Sequence, residues 1–197
     1  MPDNAEFCFN FANNDSNLTT HDVVLEGDSR PSPNYARGVY FDGNDVLSLQ
    51  HNDGNFTLGP IFTLDFWIRL QTSGSLFKDD ADNIDYSVST EQGDTGMSLS
   101  FAAVSYIGAV VGEVWTQVAV SVDQVNGSVV FYQNGASTTS QTLITSHIDS
   151  PDSIKQIGVG YQGFMYSICI THSAVDTFLV DTNCEGTLGT GYAPASP

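Results

Sequence analysis

The densest run of carboxylates in the chain is Lys78-Asp-Asp-Ala-Asp-Asn-Ile-Asp85. Oxygen donors at closely spaced positions suit a hard cation such as calcium, and Asp79, Asp80 and Asp82 are the candidate ligands. The run lacks the central glycine and terminal glutamate of an EF-hand loop, and its alternative reading is a solvated acidic loop. The histidines His21, His51, His147 and His172 lie far apart and show no zinc-binding spacing. No G-x-S-x-G elbow is present to hold a serine nucleophile. Gly158-Val-Gly-Tyr-Gln-Gly163 has the spacing of a dinucleotide fingerprint. That fingerprint needs a helix after it, to present its N-terminus to the pyrophosphate, and an apolar strand pattern follows instead. The three glycines are therefore expected in a tight turn or bulge.

Sugar rings have apolar faces, so a sugar-binding groove needs an aromatic side chain. Tyr86 and Tyr106, each beside a polar or glycine-containing segment, are the candidate platforms. Trp67 and Trp115 lie in strand patterns and are expected to pack in or over the core. The cysteines Cys8, Cys169 and Cys184 fit no zinc pattern. Domain termini often meet, so a Cys8–Cys184 disulfide is expected in an oxidising compartment, with Cys169 a buried small hydrophobe. Three unpaired thiols are the alternative. Asn14, Asn17, Asn55 and Asn126 begin N-x-S/T sequons and are glycosylation acceptors if the chain is secreted by a eukaryote.

The elements that must position these groups are strands. Phe62, Leu64, Phe66, Ile68 and Leu70 alternate with Thr63, Asp65, Trp67 and Arg69, which predicts a half-buried strand. Trp115–Val122 reads as a long strand, and Asn126-Gly127 and Asn134-Gly135 read as hairpin turns around Ser128–Gln133. About a dozen short strands with regular turn signals predict an antiparallel sandwich or barrel. The chain has 197 residues, 5 Lys+Arg and 23 Asp+Glu, for a net charge of −18. That charge repels phosphate backbones and anionic lipids, which excludes nucleic-acid and membrane-surface binding. No stretch approaches the apolar length of a membrane-spanning helix. The N-terminus lacks the basic and apolar regions of a signal peptide, so the chain is expected to be either intracellular or a mature or excised piece of a longer secreted protein. Residues 1–185 are expected to form one domain, and 186–197, rich in Gly, Pro, Ala and Ser, a flexible tail or linker.

Four ordered segments resemble a known family. They are Tyr40-Phe-Asp-Gly-Asn-Asp45, Phe62-Thr-Leu-Asp-Phe-Trp-Ile68, Trp115–Val120 with Gly127–Gly135, and Ile157-Gly158 with Phe164–Val175. Together they resemble the laminin-G-like, concanavalin A-like jelly rolls. The resemblance implies an all-β fold of two antiparallel sheets. In many members an acidic residue before the closing apolar strand helps to hold calcium; here that place falls at Tyr166 or Ser167. The glucanase relatives cleave glycosides with an E-x-D-x-x-E strand, in which one carboxyl protonates the leaving oxygen and another is the nucleophile. The glutamates of this chain are Glu6, Glu26, Glu91, Glu113 and Glu185, and none begins that motif.

The sequence thus predicts a non-catalytic, acidic recognition or adhesion module, extracellular or on the cell surface. Its expected ligand is a neutral glycan or a glycoprotein, with calcium as the one expected cofactor. The alternative is a self-associating subunit of a coat, filament or adhesin, because a sandwich has open edges.

Overall fold

The computed structural model describes residues 5–10, 15–16, 21–26, 30–31, 39–51, 58–79, 84–89, 96–101, 104–107, 115–143 and 154–174. These form sixteen strands: β1 (Ala5–Asn10), β2 (Asp15–Ser16), β3 (His21–Glu26), β4 (Arg30–Pro31), β5 (Val39–Asp42), β6 (Val46–His51), β7 (Ile61–Leu70) and β8 (Gly74–Asp79), then β9 (Ile84–Val88), β10 (Met97–Phe101), β11 (Val104–Ile107), β12 (Thr116–Asp123), β13 (Ser128–Gln133), β14 (Ala136–Thr142), β15 (Lys155–Ile157) and β16 (Gln162–Thr171). One sheet has nine strands in the order β14-β13-β12-β7-β16-β1-β2, with β5 also pairing β16 and β4 pairing β5. The other has seven in the order β11-β10-β9-β8-β15-β6-β3. Every pairing is antiparallel, and the fold is a two-sheet β-sandwich of the jelly-roll type.

The period-2 pattern builds the core. Phe62, Leu64, Phe66, Ile68 and Leu70 all face the opposite sheet and are fully buried. They meet Val118, Val120 and Val122 of β12 in register, and Leu76, Phe77, Val88 and Leu99 from the facing sheet. Each such aliphatic or aromatic side chain contributes about 1.5–3 kcal/mol by leaving water.

The expectation that β7 is only half-buried is corrected by the structure. Thr63, Asp65 and Trp67, on its other face, are also buried. Trp67, Trp115, Phe164 and Tyr166 form a second cluster on the outside of the nine-stranded sheet, so the two tryptophans pack over the core rather than in it.

The glycines of the 158–163 segment make the turn expected of them. Gly158 sits at φ +83° and directs the chain from β15 into β16, and a side chain there would strike the Phe41 ring. Gly74 is needed for a different reason. A Cβ on it would overlap the backbone of Tyr161, so the start of β8 lies directly against the β15–β16 turn. Ser75 N–H donates to the Val159 carbonyl across that junction at 3.0 Å.

The cysteine expectation is also corrected. Cys169 is disulfide-bonded, so it is not a lone thiol. The antiparallel register of β1 and β16 sets Cys8 directly opposite Cys169. Once Cys169 is engaged with one of the two other cysteines, a Cys8–Cys184 bridge cannot form. Cys184 lies outside the described residues, as does the 186–197 segment.

Candidate functional site

The seven-stranded sheet presents its polar face outward, and serines recur on it. Ser75 of β8 pairs with Ser87 of β9, and Ser87 pairs with Ser98 of β10. Ser98 in turn stands opposite Ile107 of β11. Three neighbouring strands thus carry a one-carbon side chain in the same row, and the Ser87 and Ser98 hydroxyls share a hydrogen bond of 2.8 Å. A row of side chains this small leaves a trough across the strands. Val159, from the β15–β16 turn, and Ile107, 42% exposed, stand beside it. The result is a solvent-facing cleft of about 410 Å³. Its serines are Ser73, Ser75, Ser87, Ser89, Ser98 and Ser105, and among the described residues no charged side chain lines it. A volume in this range is that of a site for a small ligand. Each hydroxyl can donate or accept, so the lining suits a ligand that offers both, such as a polyol.

One edge of the cleft is fixed by a side chain acting as a strand. Gln141 of β14 donates from Nε2 to the Ile107 carbonyl at 2.7 Å, and its Oε1 accepts the Ile107 N–H at 3.4 Å. These two bonds tie the edge of the seven-stranded sheet to the edge of the nine-stranded one.

The residues singled out from sequence fall elsewhere. Tyr86 is fully buried between the sheets, with ring centroids 6.0 Å from Phe66 and 6.4 Å from Phe131. Its hydroxyl donates to Met97 Sδ at 3.3 Å, and burial pushes its pKa well above the usual phenol value. Tyr106 is 3% exposed and belongs to the same core. Neither is a platform for a sugar. Both were expected to be exposed because polar residues flank them, but in a strand polar neighbours mark the opposite face.

Asp79 is not free to ligate calcium as expected. It is wholly buried and forms an ion pair with Lys155 Nζ, itself wholly buried. Two charges removed from water require each other, so this carboxylate is a structural counter-ion. Asp80 and Asp82 lie outside the described residues. Among the described residues no three His, Cys, Asp or Glu side chains gather as a metal site would require. Tyr166, at the place where the resembled family carries an acid, packs edge-on against Trp115 at 6.4 Å.

Of the sequon asparagines, Asn14, Asn17 and Asn55 lie outside the described residues. Asn126 is exposed in the β12–β13 turn, and its Nδ2 donates to Asp123 Oδ2 at 2.6 Å. Asp123 Oδ1 also accepts the N–H groups of Val125 and Asn126, and these bonds hold its pKa below the usual carboxylate value.

The outer face of the nine-stranded sheet carries the second concentration of polar groups. Asp65 accepts a hydrogen bond from Gln117 Nε2 at 3.0 Å. Burial outweighs that bond and raises the Asp65 pKa from 3.8 to about 7. Gln117 Oε1, Trp115 Nε1 and Thr171 Oγ1, all buried, have no hydrogen-bond partner among the described residues.

No protein-family model matches the chain, and no curated protein matches it. Solved structures do share its fold. Domain 4 of AbnA, a GH43 extracellular arabinanase from Geobacillus stearothermophilus solved in complex with arabinotriose, is 19% identical, with a TM-score of 0.64 over 87% of this chain and 95% of that one. The binding domain of botulinum neurotoxin serotype D is 10% identical, with a TM-score of 0.67 over 88% of this chain and 49% of that one. The binding domain of Paraclostridial Mosquitocidal Protein 1 is 16% identical, with a TM-score of 0.63 over 88% and 50%. The chain spans about half of each toxin binding domain and nearly all of the arabinanase domain. At these identities the likeness establishes a shared β-sandwich fold.

Proposed function

We propose that this chain is a non-catalytic carbohydrate-binding module of the laminin-G-like kind, and that a neutral glycan occupies the serine-lined cleft. The observation that carries the reading is the cleft itself: about 410 Å³, six serine hydroxyls, and no charged group among the described residues of its lining. A glycan matches that lining because it both donates and accepts through hydroxyls and carries no charge to desolvate. The similar arabinanase domain, solved with arabinotriose, supports the same ligand class. An extracellular place accords with the disulfide at Cys169, since such bonds persist in oxidising compartments. Calcium remains an expectation resting on Asp80 and Asp82, without Asp79. Self-association is the weaker reading. Among the described residues the exposed large apolar side chains are Ile107, Val125 and Ile154, each on a different element, and they build no common patch.

The test is calorimetric titration with arabinotriose and a panel of neutral linear oligosaccharides. Saturable binding is expected, and Ser98→Leu, which fills the floor of the trough from an outward-facing position, should abolish it in a protein that still gives the wild-type circular-dichroism spectrum. Failure of every neutral glycan to bind would reject the reading. Release of reducing ends from any of them would reject its non-catalytic part.

A further inference from the structure

The cleft does not end where the seven-stranded sheet ends. Ser73, in the turn between β7 and β8, and Gly74, the first residue of β8, line it, and the two residues before Ser73, Gln71 and Thr72, lie exposed in the same turn. The turn is held firmly: the N–H groups of Gln71 and Thr72 both donate to the Gln162 carbonyl, at 3.0 and 3.2 Å. Around this turn the side chains form a polar chain. Thr72 Oγ1 donates to Gln162 Oε1 at 3.3 Å, Gln162 Nε2 to the Tyr40 hydroxyl at 3.3 Å, and the Tyr40 hydroxyl to Gln71 Oε1 at 3.1 Å. The chain of bonds ends at Gln71, whose amide nitrogen takes no part in these bonds and whose side chain is exposed to solvent.

Beneath this rim is an aromatic stack. The half-buried Tyr40 ring lies 4.9 Å from Phe164, and Phe164 lies 6.4 Å from Trp115. At the inner end of the stack Trp115, 7% exposed, has a buried indole N–H with no acceptor among the described residues. A partly exposed ring with amides beside it is the chemistry that takes a pyranose or furanose: apolar C–H groups against the ring, hydroxyls on the amides.

We infer that the Tyr40–Gln71–Gln162 rim is a second subsite, continuous with the serine-lined cleft around the β7–β8 turn, and that the ligand is a linear neutral oligosaccharide long enough to occupy both. This rests on the reading of the cleft as a glycan site. Gln71 and Ser73 are two residues apart in the bend between β7 and β8, a span of at most about 7 Å. That is comparable to one sugar residue, so a chain passing over the turn needs no gap between subsites.

The experiment is a length series, from the monosaccharide to the hexasaccharide of the arabino- and gluco-oligosaccharides, titrated into wild type, Tyr40→Ala and Gln71→Ala. Wild type should gain roughly tenfold in affinity once the ligand is long enough to pass the turn. Both variants should bind the shortest ligands as wild type does and lose that gain. Gln71 is exposed, so its replacement leaves the packing intact if Tyr40→Ala perturbs it. Tryptophan emission supplies a second readout, because both tryptophans of the chain, Trp67 and Trp115, lie in this stack. Long ligands should shift the emission and short ones should not. Affinity independent of length in wild type, or a length gain that survives both substitutions, overturns the second subsite while leaving the cleft as a binding site. No binding at any length overturns the cleft reading, and the subsite falls with it.

Discussion

Asp65 is an acid whose environment departs far from its ordinary chemistry. It sits at the centre of β7, with Ala119 opposite it on one side and Cys169 on the other, all shut from water. Hydrogen bonds from Gln117 and from the Phe66 backbone do not offset that desolvation, and the pKa rises to about 7. The sign of the consequence is fixed by linkage. Between pH 3.8 and about 7 the folded state binds the Asp65 proton and the unfolded state does not, so stability falls as pH rises through that window. The full effect is on the order of 4 kcal/mol. Asp123 acts in the opposite sense. Its depressed pKa adds stability that is present above the unfolded value and lost as pH falls through the folded one. Asp65→Asn should therefore flatten the decline in thermal midpoint between pH 4 and 7. It should leave the acid-side loss in place, because Asp123 is untouched. An unchanged slope in scanning calorimetry would show that Asp65 ionises normally.

At the scale of elements, register decides what the sequence could and could not disclose. The apolar face of β7 was legible because alternation of Phe62, Leu64, Phe66 and Ile68 is a local property of one strand. The burial of Thr63, Asp65 and Trp67 was not, because it depends on which side chains of β12 and β16 register places beside them. Tyr86 shows a signal that was present and misread: Ile84, Tyr86 and Val88 share one phase, and that phase is inward. The cleft had no signal at all. Its serines come from the β7–β8 turn and from β8, β9, β10 and β11. A serine on one strand looks like any solvated position until pairing sets three of them in a row. The same logic applies to the cysteines, where terminal position pointed to Cys184 and strand pairing points to Cys8. Directly opposed residues of an antiparallel pair lie about 4.5–5.5 Å apart at Cα, within the range that a disulfide spans. Non-reducing peptide mapping should recover a Cys8–Cys169 linkage with Cys184 as a free thiol. A Cys169–Cys184 linkage would mean that the opposed pair is left unbridged.

For the whole molecule, the dominant quantity is charge. A net −18 carried by only 14% charged residues means that acids are rarely balanced by a neighbouring base. Among the described residues no acid or base lines the cleft. A neutral ligand therefore feels the field weakly, whereas a sulfated ligand of the same shape must approach against it. Salt separates the two cases. Between about 0.01 M and 1 M ionic strength the screening length shrinks from about 30 Å to about 3 Å. Over that range the affinity for a neutral oligosaccharide should stay within about twofold, since no ion pair forms or breaks. Its sulfated counterpart should bind more weakly at low salt and recover towards the neutral value as salt rises. Stronger binding of the sulfated form at low salt would require a basic contact; among the described residues Arg69 of β7 and Lys78 of β8 are partly exposed cations. Titrating each pair of ligands at three salt concentrations distinguishes these outcomes, and the slope of affinity against salt gives the sign of the charge the ligand meets.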